Sequence, residues 1–257
     1  MADQRALPAL EGTSEILIMS RLRNSMRRTR RRLWELAGCA RYSRPALNGL
    51  DRKLDAFLSR KRGVFVEAGG NDGYTQSNTY FLEAMRGWTG LLVEPLPDLA
   101  LECLRNRPCS IVAQAALVAP GHPGASISMC VSGLTSTVEG AFGDTRIRED
   151  HQRCGLATQE LVETPTIEVP TRVLSDLIDE HLGEKEIDLL VLDVEGYELE
   201  ALSGLDLNRH APRFACIECR DQKSVAQLLS PRMRPIKVLH DNHNYADVLF
   251  ARDDEAI

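Results

Sequence analysis

Residues Val64-Phe-Val-Glu-Ala-Gly-Gly-Asn-Asp-Gly73 restrict the fold more than any other stretch of this chain. A short apolar run ends in an acid, and a glycine-rich turn follows at once. A buried parallel strand passes into a ligand-binding loop in this way. A second acid, Glu94, closes the apolar run Gly90–Glu94, and a third, Asp193, closes Ile187–Asp193. Three strands that each end in a carboxylate predict one cleft at the carboxyl edge of a parallel sheet, where open α/β sheets take their ligands. Acids so placed suit ribose hydroxyls and a cationic centre better than a phosphate-rich ligand.

The remaining pattern fits an α/β fold. Strands are expected at Val64–Glu67, Gly90–Glu94, Ser110–Val118, Ile187–Asp193, Arg213–Glu218, Ile236–His240 and Ala246–Ala251. Helices are expected near Leu50–Phe57, Ser77–Met85, Asp98–Arg105, Thr171–Leu182, Tyr197–Leu202 and Asp221–Leu229, with Thr171 as an N-cap and Gly183 as a C-cap. Such alternation argues for a parallel sheet covered on both faces. The loop His240–Tyr245 is too short to house a helix, so the last two strands should form an antiparallel hairpin at one edge. Residues 119–166 are rich in Gly, Ser and Thr and leave the third strand on the ligand edge. A segment this long is expected to be a lid or a substrate-binding insertion.

Charge divides the chain. Residues 1–62 hold 15 Lys and Arg against 6 Asp and Glu, and the remainder holds 16 against 31. Residues 1–45 therefore read as a basic helical N-terminal extension, with Ile16, Met19, Leu22, Met26, Leu33 and Leu36 at helical spacing among arginines. A basic helix of this kind packs on its own domain or on a second copy of the chain. Nucleic acid is not expected, because arginines without interleaved aromatics make a poor stacking platform. No apolar run reaches the roughly 18 residues of a membrane span. Leu36-Ala-Gly-Cys39 matches a lipoprotein cleavage box by letter. The apolar stretch before it is far shorter than the roughly 7–15 residues an export signal needs. A cytoplasmic protein is expected. The seven cysteines are scattered, and Cys216 and Cys219 fall in one strand, where positions three apart face opposite ways. Reduced core cysteines are expected rather than a metal knuckle.

Each chemical motif has a bland counterpart. Glu67-Ala-Gly-Gly-Asn-Asp-Gly73 departs from the dinucleotide fingerprint G-x-G-x-x-G in its first glycine spacing, and Glu67 would repel a pyrophosphate. The same turn also serves a strand–helix junction with no ligand. Glu94 ends the second strand, where an acid accepts hydrogen bonds from ribose hydroxyls. Asp193 and Glu195 lie two apart at a strand end and could orient a donor, accept a proton or hold a divalent cation. Glu195 could instead cap the following helix. Glu218 ends the fifth strand, and His240 and His243 flank the hairpin loop, each a candidate base or metal ligand or simply a solvated side chain.

Three segments together resemble the FkbM-type S-adenosylmethionine-dependent methyltransferases. They are Val64–Thr79, Trp88–Pro95 and Leu190–Gly204, and the most specific part is Asp193-Val-Glu-Gly-Tyr-Glu198. The resemblance spans residues 60–252. It implies a seven-stranded Rossmann-like sheet with an antiparallel edge hairpin over residues 46–257, and O-methylation of a sugar or natural-product (polyketide or glycoside) hydroxyl. Carried over by motif, Glu67, Gly69, Asn71, Asp72 and Gly73 would surround the methionine part of the donor, and Glu94 would hold the ribose. Gln114 and Ala115 would approach the adenine, a looser match, and Asp193 would lie near the reacting methyl. Many relatives read Asp-Val-Gly-Ala-Asn at the first motif, where this chain has Glu67-Ala-Gly-Gly-Asn71. Catalytic candidates are Asp193, Glu195 and His243. A divalent cation such as Mg²⁺, if it takes part, would fall to Asp193 and Glu218. The rival readings are an NAD-dependent oxidoreductase on a similar sheet and a non-catalytic binding protein that uses the basic arm.

Overall fold

A computed structural model describes residues 11–131, 136–138 and 165–255, with side chains from residue 22 onward except at Thr137. The chain divides into two compact units, residues 1–43 and 44–257. In the first, α1 (Glu11–Leu36) carries Leu22, Met26, Leu33 and Leu36 exposed between arginines. Trp34 meets Tyr42 edge-on, with ring centroids 6.3 Å apart, and the Arg30 guanidinium lies 4.7 Å from the Tyr42 ring centre. Ile16 and Met19 have side chains outside the described set.

The second unit is built on a seven-stranded sheet. Its strands are β1 (Val64–Ala68), β2 (Thr89–Val93), β3 (Ile111–Ala113), β8 (Leu189–Leu192), β9 (Phe214–Cys219), β10 (Met233–Asp241) and β11 (Ala246–Arg252). A smaller sheet takes β4 (Ala116–Leu117), β5 (Ser126–Cys130), β6 (Thr137–Val138) and β7 (Thr166–Arg172). The large sheet runs β3-β2-β1-β8-β9-β11-β10. Neighbours from β3 to β9 are parallel, and β11 is antiparallel to both β9 and β10. The expected edge hairpin is present, and its second strand is the inner one.

Strand periodicity explains how both faces are covered. Val66, Leu190, Leu192, Ala215, Ile217, Val248 and Phe250 face one cluster with α5 (Leu174–His181), α6 (Glu198–Ser203) and α8 (Gln222–Leu229). Their strand neighbours Phe65, Leu189, Val191, Cys216 and Leu249 face the other, with α2 (Leu50–Asp55), α3 (Tyr80–Arg86) and α4 (Pro97–Asn106). Each fully buried aliphatic side chain contributes about 1.5–3 kcal/mol. Cys216 and Cys219 fall in opposite clusters, as expected for their spacing in a strand. A short helix, α7 (Leu207–His210), joins α6 to β9.

Beyond shifts of a few residues at element ends, two expectations are corrected. Ser110–Val118 is two strands in two sheets, because Ala113 is the last residue paired with β2 and Ala116 already pairs with Thr171 of β7. Thr171 is thus a strand residue, and α5 begins after Val173, whose side chain makes no cap hydrogen bond. Gly183 takes the left-handed backbone (φ +61) just past that helix, and its N–H donates to Ile178. The smaller sheet lies within the segment 119–166 together with its flanks. Of that segment, residues 132–135 and 139–164 lie outside the described residues.

Candidate active site

The carboxyl ends of β1, β2 and β8 open on one cavity, and Glu67, Glu94 and Asp193 all line it. Gly69, Asn71, Ala115 and Glu195 share that wall. The space, open solvent at its mouth included, is about 960 Å³. Leu96, Leu99, Met129, Val138 and Tyr197 give the cavity an apolar side. They belong to a third cluster, between the small sheet and the loop after β2.

The glycine turn is held to the sheet from both sides. Gly69 N–H donates to Val93 and Asp193 N–H donates to Ala68, so the ends of β1, β2 and β8 are tied together. Gly69 sits at φ +82, and a side chain there would overlap the Asp193 carbonyl oxygen. Only glycine meets both conditions. Gly73 turns the loop back against Cys103 and Arg107. Asp72 accepts from the N–H groups of Tyr74 and Thr75, at 2.8 and 2.5 Å, and so shapes the turn. Neither Asp72 nor Gly73 lines the cavity.

Glu67 reaches the cavity wall, yet its carboxylate is satisfied from within. It accepts from Ser77 Oγ, the Asn78 N–H and Thr79 Oγ1, at 2.5 to 3.1 Å. The fully buried Arg107 guanidinium lies 3.3 Å away. The turn needs Glu67 as a buried anchor, which accounts for an acid at a strand end where phosphate is unwelcome.

Glu94 is 5% exposed and receives the N–H groups of Asn71 (2.8 Å) and Leu96 (2.9 Å), one on each oxygen. Each oxygen keeps a further lone pair. Burial pushes its carboxyl up to about 7, and the two backbone N–H groups oppose that shift.

Asp193 follows β8, and Glu218 lies at the end of β9 beside it. Oxygens of Asp193, Glu195 and Glu218 all fall within 4.8 Å of one another. The Arg220 guanidinium reaches Glu195 at 3.2 Å and Glu218 at 3.3 Å. Burial, then the neighbouring carboxylates, drive the Asp193 carboxyl well up, and the same causes push Glu218 up to about 10. Glu195 does not cap α6. It takes φ +54 and turns toward Arg220, while Glu198 Oε1 accepts the Gly196 N–H.

His243 lies in the exposed hairpin loop, away from the cavity, and Gln114 is exposed and does not line it. His240 lies tilted against Tyr245, with ring centroids 5.9 Å apart, also outside the lining. Three lining residues that are not glycine have positive φ: Asn71 (48°), Gln76 (61°) and Glu195 (54°). Strained backbone collects at ligand sites. Sequence reasoning missed Gln76, Tyr197 and Arg220. An Arg two residues past Glu218, directly after the strand Phe214–Cys219, was the available signal for Arg220.

The sequence profile of the methyltransferase FkbM domain matches residues 67–245. No curated protein matches the chain. Among solved structures, a TehB-like SAM-dependent methyltransferase from Corynebacterium glutamicum is 13% identical, covering 91% of this chain and 99% of that one at a TM-score of 0.43. A SAM-dependent methyltransferase from Aquifex aeolicus is 11% identical over 79% of this chain and 88% of that one, with a TM-score of 0.40. Precorrin-6y C5,15-methyltransferase from Geobacter metallireducens is 10% identical over 80% and 87%, also at 0.40. Likenesses this distant carry no argument about the reaction, which rests on the domain match and on the cavity.

Proposed function

We propose an acceptor and a division of labour for this chain from one premise: it belongs to the methyltransferase FkbM domain family. It is a SAM-dependent methyltransferase, and we infer that it transfers the methyl group to a hydroxyl of a sugar or natural product. The carrying observation is the single cavity that joins Glu94 to the Asp193–Glu195 wall.

The cavity fits the donor in three respects. Glu94 has a spare lone pair on each oxygen for the ribose hydroxyls. Acids on two walls favour a cationic sulfur over a phosphate. The apolar side, with Leu96, Leu99 and Ala115, suits a purine face. S-adenosylmethionine supplies a methyl group on a sulfonium, whose departure as a neutral thioether needs no acid. The protein's task is therefore to position the acceptor and to take its proton. An alcohol oxygen must shed that proton as it attacks, and Asp193 is made more basic by burial and by its acidic neighbours. Tyr197 and Glu195, on the same wall, would bind further acceptor hydroxyls.

Calorimetric titration of the donor tests the reading. Heat is expected with S-adenosylmethionine and none with NAD, followed by label transfer from the methyl-labelled donor to a glycoside in a panel of hydroxyl acceptors. Heat with NAD alone would make the chain an oxidoreductase instead.

A further inference from the structure

We propose that Asp193, Glu195 and Glu218 hold a divalent cation, Mg²⁺ or Mn²⁺, at the β8–β9 end of the cavity wall. The proposal deepens the methyl-transfer reading and rests on it for the cation's use, though not for its binding.

Three observations point to a cation. One oxygen from each of the three carboxylates lies within 4.8 Å of the others. Opposite oxygens around a metal stand about 4.2 Å apart for Mg²⁺ and about 4.8 Å for Ca²⁺, so the cluster needs little adjustment. Glu218 is 7% exposed, and its Oε1 makes no hydrogen bond, although the Arg220 guanidinium passes at 3.3 Å. Asp193 Oδ1 is likewise shielded from solvent and makes no hydrogen bond. Buried acceptors without donors are uncommon, and each calls for a proton, a water or an ion.

Among the described residues the Arg220 guanidinium faces the three carboxylates and reaches Glu195 and Glu218. Asp193 makes no ion pair within 4.0 Å among the described residues, and Glu195, Glu198 and Asp247 add to the negative field around it. A divalent ion would satisfy the Asp193 and Glu218 oxygens that lack hydrogen bonds and offset the mutual repulsion together. The group contains no histidine or cysteine, and oxygen-only sites favour hard cations over zinc or copper. Two of the three ligands line the cavity, so an acceptor hydroxyl could complete the coordination sphere. Bound there it would lose its proton more readily.

The test is Mn²⁺ titration of the full chain, followed by the free-ion paramagnetic resonance signal, with donor affinity measured in parallel. One Mn²⁺ per chain is expected, displaced by Mg²⁺. Loss of an outer partner alone weakens metal sites by roughly 10–100-fold, so Glu218→Gln and Glu195→Gln should each weaken binding by at least that much. Glu195→Gln is the less buried change and reads out if Glu218→Gln fails to fold. Absence of binding at millimolar Mn²⁺, or affinity unchanged in both variants, would overturn the cation and leave a proton-sharing acid cluster. If Mn²⁺ binds but S-adenosylmethionine does not, the cation stands and the methyl-transfer reading falls.

Discussion

Glu94 links protonation to ligand affinity at the level of one side chain. Its carboxyl is pushed from 4.5 up to about 7 by burial. The folded protein thus holds that proton more tightly than the unfolded chain. The associated stability is fully present below 4.5 and is lost as pH rises through about 7. It amounts to roughly 3 kcal/mol at about 1.4 kcal/mol per unit. Ribose hydroxyls favour the ionised form, so donor affinity should move the other way and rise with pH across the same window. Glu94→Gln should flatten both profiles, which calorimetry and urea unfolding between pH 5 and 9 would check. At Asp193 the expected effect is on chemistry: Asp193→Asn should lower turnover about tenfold or more while the donor still binds. Unchanged single-turnover rates would remove Asp193 from proton transfer. Gly69→Ala should cost several kcal/mol or abolish donor binding, because the added methyl meets the Asp193 carbonyl oxygen at a left-handed residue.

Among the elements, the buried pair Glu67–Arg107 joins the end of β1 to the residue that follows α4. Arg107 also contacts Glu83 of α3 at 2.8 Å and Thr79 at 2.8 Å. Removing one partner of a buried pair costs about 3–5 kcal/mol. Arg107→Met should therefore lower the urea midpoint steeply, with the turn 69–79 loosening first in hydrogen exchange. This scale also shows what the sequence made legible. Unbroken apolar runs at Val64–Val66 and Leu189–Leu192 mark strands buried on both faces, and the acids that follow them mark the cleft. The small sheet escaped because β4 and β6 have two residues each and β5 alternates weakly. Its place depends on pairing across distant sequence, Ala116 with Thr171 and Ser126 with Pro170. Local spacing carries no trace of such contacts. The internal anchoring of Glu67 leaves no mark in the sequence because its donors Ser77, Asn78 and Thr79 lie ten to twelve residues on, in a loop with no periodicity.

For the molecule as a whole, all three core clusters and the cavity belong to the unit of residues 44–257. Deleting residues 1–43 should leave donor affinity within about twofold and the sheet intact by circular dichroism. Light scattering on the same protein reads whether the basic arm sets the mass in solution. Left-handed backbone at Asn71, Gln76 and Glu195 has a wider consequence. Each such residue costs of order 1 kcal/mol or more, and glycine would relieve it. Breeding this protein for heat resistance alone would therefore erode those side chains first. The hardier offspring would keep their shape and lose their trade.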